Sequence, residues 1–219
     1  MTATQLAALL SVWLAAITSP GPDTVQLARL ATLSRRSSIL GALGIMVGNT
    51  AWIVLSLAGM SALLASQPHL THALEILGGS VLCWMGSQAL AGGLRARRAA
   101  ARTATGAAAQ PVDAAVPPMS ARQAFRLGLV TNLSNPKAII FFGAVFAQFL
   151  TPDMGPGWTV ALAGILISTG LAWFVTFALL ATVIARPLAR HAATIDMVAG
   201  VIFLGVGATL VGTGAMALF

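Results

Sequence analysis

Six stretches of this chain, at 6–32, 39–64, 72–93, 124–150, 158–184 and 195–218, are apolar over lengths that match the hydrocarbon core of a bilayer. Each holds at least roughly 20 residues, enough at helical rise to cross about 30 Å. The second and fifth contain no ionisable residue at all. Backbone crossing lipid has no water to bond to, so such segments are helical unless they close into a barrel. Charge is too scarce for the alternative of a water-soluble core. Asp, Glu, Lys and Arg make up 8% of the chain, against about 25% in ordinary soluble domains, and the mean hydropathy is +0.89. The expected fold is an all-α polytopic membrane protein with six transmembrane helices. No basic region follows Met1 and no small-residue cleavage site precedes the first charged turn, so the first stretch is expected to be a retained span.

The few charges fix an orientation. Arg35 and Arg36 follow the first stretch, Arg95, Arg97, Arg98, Arg102 and Arg122 lie between the third and fourth, and Arg186 and Arg190 between the fifth and sixth. The connections at 66–71 and 151–157 carry no Arg or Lys. By the positive-inside rule the arginine-bearing loops are cytoplasmic, which puts both termini on the periplasmic side of a bacterial inner membrane. The net charge of +7 is thus a topology signal, and no basic folded face for nucleic acid is expected. Cys83 is the only cysteine, which excludes an internal disulfide and paired-cysteine redox chemistry. His69, His72 and His191 do not fall at metal-ligand spacing, and no nucleotide fingerprint or nucleophile triad occurs. No metal, cofactor or enzymatic activity is expected.

The chain divides into a first three-helix half at 1–94, a cytoplasmic linker rich in Ala, Arg and Pro at 95–121, and a second three-helix half at 122–219. The halves echo each other. Glu75 to Gly79 followed by Gly86 resembles Asp196 to Gly200 followed by Gly207 at an offset of 121, and Thr18-Ser19-Pro20 resembles Ser134-Asn135-Pro136 at 116. An odd number of spans per copy inserts the second copy upside down. The expectation is a 3+3 inverted repeat with helices one and four broken at corresponding prolines, a signature of secondary transporters.

Pro20 and Pro22 cannot donate backbone hydrogen bonds, so the first helix breaks near them, and Asn135-Pro136 breaks the fourth. Ser19 and Asn135, each followed by Pro, suit the cap of a new helix. Asp23 then lies in the first turn of a half-helix, where free N–H groups suit a carboxylate. Lys137 sits beside the second break. A zwitterionic amino acid carries one group for each charge, so Pro20, Gly21, Pro22, Asp23, Asn135, Pro136 and Lys137 form the candidate substrate and proton-coupling site. A plainer reading stands beside it: Asp23 and Lys137 pair with each other, or Lys137 snorkels to water. Asn49 and Asn132 need partners in apolar surroundings and are candidates to line the cavity. Gly41, Gly44 and Gly48 give the second helix a narrow packing face, and the glycines at 78, 79, 86, 200, 205 and 207 suggest further seams. Trp52, Trp84 and Trp173 are expected to fill space, Trp13 and Trp158 to lie nearer an interface, and Glu75 and Asp196 to be interfacial.

Ser19-Pro20-Gly21-Pro22-Asp23, the glycines at 41, 44 and 48, the stretch from Gly79 to Gly86, and Asn135-Pro136-Lys137-Ala138 followed by Phe141-Phe142 resemble the lysine exporter and homoserine/threonine resistance (LysE/RhtB) family over nearly the whole chain. That resemblance implies amino-acid efflux driven by the proton gradient, with the Pro-Gly-Pro-Asp and Asn-Pro-Lys elements as its functional parts. One intramembrane acid and several cytoplasmic arginines point to a neutral amino acid over lysine or arginine. The expected partners are the amino acid, protons and the lipid bilayer, with association into a homo-oligomer left open. The readings that compete are a non-transporting structural or regulatory membrane subunit, and a membrane enzyme, for which no catalytic cluster is present.

Overall fold

A computed structural model describes residues 2–66, 71–103, 119–145 and 155–216, and every element in it is helical. The order is α1 (Ala3–Thr18), α2 (Pro22–Leu33), α3 (Arg35–Ser66), α4 (Thr71–Thr103), α5 (Ala121–Leu133), α6 (Pro136–Ile140), which passes into a π-helical turn at Phe141–Val145, and α7 (Pro156–Met216). Three stretches are long and apolar enough to cross a bilayer: Arg35–Gly59, Pro156–Ile184 and Arg190–Met216. The pair α1 and α2, bent by 44° at its break, makes a fourth if the two are taken as one span. The helix expected at 72–93 continues to Thr103, so the linker begins as helix. Ala and Arg, both strong helix formers, dominate that extension. The remainder of the linker at 104–118 and the end of the fourth apolar stretch at 146–150 lie outside the described residues.

Local chemistry sets the helix starts. Thr2 caps α1 in a reciprocal box with Gln5, and Ser120 caps α5 in the same way with Gln123; each box satisfies two otherwise orphaned N–H groups.

The fifth and sixth apolar stretches form one helical run, α7, but that run cannot be straight. Thr169 Oγ1 accepts a 3.0 Å hydrogen bond from the Trp13 indole, and Asp196 Oδ1 accepts one of 2.7 Å from Ser19. Trp13 and Ser19 are separated by about 9 Å of helix, whereas a straight α7 would hold Thr169 and Asp196 about 40 Å apart. The run therefore folds back between them, and Pro187 lies in the interval. Its missing N–H and its clash with the preceding turn account for the bend.

Two glycine seams hold the bundle. Along the first, α4 runs antiparallel to the second part of α7. A Cβ placed on Gly79 would lie 2.7 Å from the Gly207 carbonyl, one on Gly86 2.8 Å from that of Gly200, and one on Gly93 2.5 Å from that of Ala193. On α4 these glycines recur every two turns, as do Gly200, Gly207 and Gly214 on α7. The second seam joins α3 to α5, where Gly41 meets Gly128 and Gly44 meets the Phe125 carbonyl, backbone to backbone. Lipid tails are as apolar as leucine, so helix association here rests on close packing that only small residues allow. Between the seams sits an apolar core. Trp13 contacts Phe141 and Phe142, each with ring centroids 5.7 Å away, and Leu9, Ile45, Leu166, Phe174 and Phe203 are buried around them. Trp13, expected nearer an interface, is 2% exposed, whereas Trp158 is half-exposed. Trp13 is drawn inward by its indole bond to Thr169 and by its stacking on the two phenylalanines.

Gly128→Ala should lower the melting temperature of the detergent-solubilised protein by several degrees, because the new methyl meets the Gly41 backbone, which cannot yield; overpacking of this kind costs about 1–3 kcal/mol. Gly205→Ala, with open space at its Cβ, should leave it unchanged or slightly raised. Equal melting temperatures for the two variants would refute the tight-seam account.

Candidate functional site

The first break is built by two prolines in alternation. α1 ends as the Ser19 N–H donates to the Ala15 carbonyl at 3.1 Å. A residue before proline is kept out of the helical region, and Gly21, ahead of Pro22, is fully extended. The new helix therefore starts at Pro22, with Gly21 as its cap. This corrects the expectation that Ser19 would be the cap. Thr24 closes the turn, its hydroxyl accepting from the Gly21 N–H at 3.0 Å. Ser19 Oγ, released from capping, donates to Asp196 instead. Pro22 at the first helical position puts Asp23 in the first turn, as expected.

The second break follows the expected pattern. α5 closes at Ser134, whose N–H reaches the Val130 carbonyl at 2.9 Å. Asn135 is extended and caps α6, its Oδ1 accepting from the Lys137 N–H at 3.0 Å, with Pro136 at the first helical position. Just beyond, the π-helical turn widens the backbone, and Ser56 on α3 donates to the Phe142 carbonyl at 2.9 Å. Such turns concentrate at functional sites.

The fold brings the two breaks together. Lys137 Nζ donates to the Ser19 carbonyl at 3.1 Å, and Pro20 and Pro136 line one cavity. Lys137 is half-buried and lies in electrostatic range of both Asp196 and Asp23. Asp23 and Lys137 are not in salt-bridge contact among the described residues, so the direct pairing weighed from the sequence is not formed. Asp23 is held from the other side: Asn132 Nδ2 donates to Asp23 Oδ2 at 2.9 Å and to Asn49 Oδ1 at 3.1 Å. Asn132 and Asn49 are thus partners within one buried cluster, Asn132 at 0% and Asn49 at 3% exposure. Asp23 Oδ1, also buried, has no hydrogen-bond partner. A buried carboxylate oxygen without a donor is costly, and the Asn135 side chain and Lys137 also act on this carboxylate.

Two spaces adjoin this cluster. The inner one, about 40 Å3, is lined by Gly21, Asp23, Asn49, Asn135, Lys137 and aromatic residues including Trp13. The larger, about 330 Å3, is lined by Ser19, Pro20, Gln88, Pro136, Lys137 and Asp196, with Trp84 and Phe203 among its apolar walls. Ser19 and Lys137 belong to both and form the partition. Of the residues marked from the sequence, Gly21, Asp23, Asn49, Asn135 and Lys137 face the inner space and Pro20 and Pro136 the outer. Asn132 stands behind Asp23, and Pro22 sets its place on α2.

Sequence reasoning missed Asp196, Ser19 as a side-chain donor, and Gln88. Asp196 was expected to be interfacial because it opens an apolar stretch; the fold-back of α7 carries it to the first break instead. The available signal was its rarity, as an acid within a span is a functional candidate by default. Glu75, its counterpart in the first half, sits 3.4 Å from His72 one turn away. Trp84, expected to fill space, is 53% exposed and forms part of the larger cavity's wall. Among the described residues no three His, Cys, Asp or Glu side chains gather as metal ligands.

Residues 14–214 match the LysE type translocator family. Over 203 residues the chain is 35% identical to the threonine efflux protein of Escherichia coli K12, covering 91% of this chain and 94% of the relative. The threonine efflux protein of Salmonella typhi gives the same identity and coverage, and an uncharacterized membrane protein of Pseudomonas aeruginosa is 32% identical over 199 residues, 87% of each chain. No solved structure matches the chain. With its apolar helices and two helix breaks meeting around a polar cluster, the chain belongs to the LysE/RhtB family as a multi-pass bacterial inner-membrane transporter for amino-acid efflux.

Proposed function

We propose that this translocator exports a neutral α-amino acid of the threonine class in exchange for inward-moving protons. In this reading it is a six-span, 3+3 inverted repeat whose halves, 1–94 and 122–219, are joined by the cytoplasmic linker 95–121, with both termini periplasmic. The observation that carries the reading is the abutment of the two helix breaks through Lys137 and the Ser19 carbonyl, with Asp23 alongside holding one oxygen unpartnered.

The α4–α7 seam supports the repeat. If the halves are related by a two-fold axis at the offset of 121, every contact across the axis has a twin with the roles exchanged. The twin of Gly79 against Gly207 is Gly200 against Gly86, and both occur; the twin of Gly93 against Ala193 is Gly214 against His72, and a Cβ on Gly214 would lie 3.0 Å from the His72 carbonyl. Antiparallel packing by itself keeps such pairs in register; what favours the repeat is that glycine stands at equivalent places in the two halves, 79 with 200, 86 with 207 and 93 with 214.

In the proposed cycle the substrate carboxylate is met by Lys137 and its ammonium group by Asp23 Oδ1. Rocking of one half against the other opens the site to the periplasm, where the amino acid leaves. A proton from the periplasm then neutralises Asp23, so that the empty site resets without a buried bare charge, and is released to the cytoplasm. The threonine class is favoured by the named relatives.

Asp23→Asn should abolish threonine movement driven by an imposed proton gradient in proteoliposomes while the protein keeps its melting temperature within a few degrees. Gradient-dependent transport at wild-type rate in that variant would end Asp23's coupling role. Topology is tested separately. In a Cys83→Ala background, a cysteine at Thr2 should react with an impermeant maleimide on intact cells, and one at Arg98 only after permeabilisation. Labelling of both from outside would overturn the orientation.

A further inference from the structure

The two spaces beside the helix breaks differ in a way that the central-site reading leaves unexplained. The inner one, about 40 Å3, is much the smaller of the two. The larger, about 330 Å3, is large enough for a small zwitterion. Its walls carry a separated pair of opposite charges, Lys137 and Asp196. Among the described residues Lys137 makes one side-chain hydrogen bond, to the Ser19 carbonyl, out of the three it can donate. Among the described residues only Ser19 donates to Asp196, and only to Oδ1. The carboxylate thus has a second oxygen for an ammonium group.

The chain also indicates which way this space faces. Gln88 and Gly92 line it, and about 10 Å beyond Gln88 on the same helix come Arg95, Arg97 and Arg98. Asp196 lies a turn and a half past Arg190 on α7. The space therefore opens toward the arginine-bearing ends, the cytoplasmic side by the positive-inside rule. Trp13, Phe141 and Phe142 line the inner space.

We infer that the larger cavity is a cytoplasm-facing reception site for a zwitterionic, neutral α-amino acid, with Asp196 binding its ammonium group and Lys137 its carboxylate. The inference rests on the transport reading above and adds a stage to it. Lys137 belongs to both spaces, so it can keep the carboxylate while the ammonium group passes from Asp196 to Asp23. Movement of Ser19, which ties Asp196 to the first break, accompanies that transfer. Trp84, Met85, Ile140 and Phe203 give the side chain an apolar wall, suited to a short uncharged group.

The test is equilibrium binding by intrinsic tryptophan fluorescence, with the purified full-length protein in phosphatidylcholine nanodiscs. L-threonine, N-acetyl-L-threonine (no ammonium group) and L-threonine amide (no carboxylate) are titrated in turn. Wild type should show a saturable change with threonine that is lost in Trp84→Phe, and should bind both derivatives at least about tenfold more weakly. Asp196→Asn should weaken threonine about tenfold or more and remove the preference over the N-acetyl derivative, with Asp196→Glu restoring part of it. Ser19→Ala, which cuts the bond to the first break and leaves the carboxylate, should keep the preference for a free amine. A wild type that does not distinguish the N-acetyl derivative overturns the proposal, as does Asp196→Asn with wild-type affinity. If Ser19→Ala reproduces Asp196→Asn, Asp196 only braces the break and the proposal also fails. The assay needs no gradient, so intact binding without gradient-driven efflux counts against the carrier cycle alone. Efflux with binding indifferent to Asp196 counts against the reception site alone.

Discussion

The architecture depends on how a broken helix is tolerated inside a bilayer. Each interruption frees backbone groups that lipid cannot satisfy, so an isolated break would be expelled or repaired. Here one break answers the other. The Ser19 carbonyl, freed where α1 ends, takes the ammonium of Lys137 from the first turn of α6, while the Ser19 hydroxyl reaches across to α7. A cost that would be prohibitive for either helix alone is shared between them, and the polar cluster is confined to the place where they meet.

The asparagines extend that logic. Asn132 at the end of α5 divides its amide between Asp23 on α2 and Asn49 on α3, so three helices converge on one side chain. Gly48 makes this possible, because a Cβ there would stand 2.5 Å from Asn132 Oδ1. The glycine face of α3 is thus both a packing surface and the notch that admits the polar network.

Much of this was legible in the residues. Proline chemistry located both breaks and put Asp23 in a first turn, and the asparagines announced a need for partners that they found in each other. What was illegible was non-local. The cap moved from Ser19 to Gly21 because two prolines in alternation act together, and the rules for each one alone favour the earlier start. Asp196 looked interfacial because its position along a span says nothing about what stands opposite. Only the reversal of α7 near Pro187 makes it a neighbour of Ser19. Trp13 was misjudged for the same reason, as its burial depends on Thr169, Phe141 and Phe142, all distant in sequence.

The glycine seam between α4 and α7 bears on mechanics. At Gly79, Gly86, Gly200 and Gly207 backbone meets backbone, with Val211, Leu204, Leu90 and Cys83 packed alongside, so the two helix axes approach closely. If the halves exchange shapes about a line through this seam, atoms near the line barely travel, while those farther out sweep through an arc. The Lys137–Ser19 contact lies beside that line, since Ser19 bonds Asp196 one turn from Gly200, so a rotation there would reorient the two breaks while keeping them together.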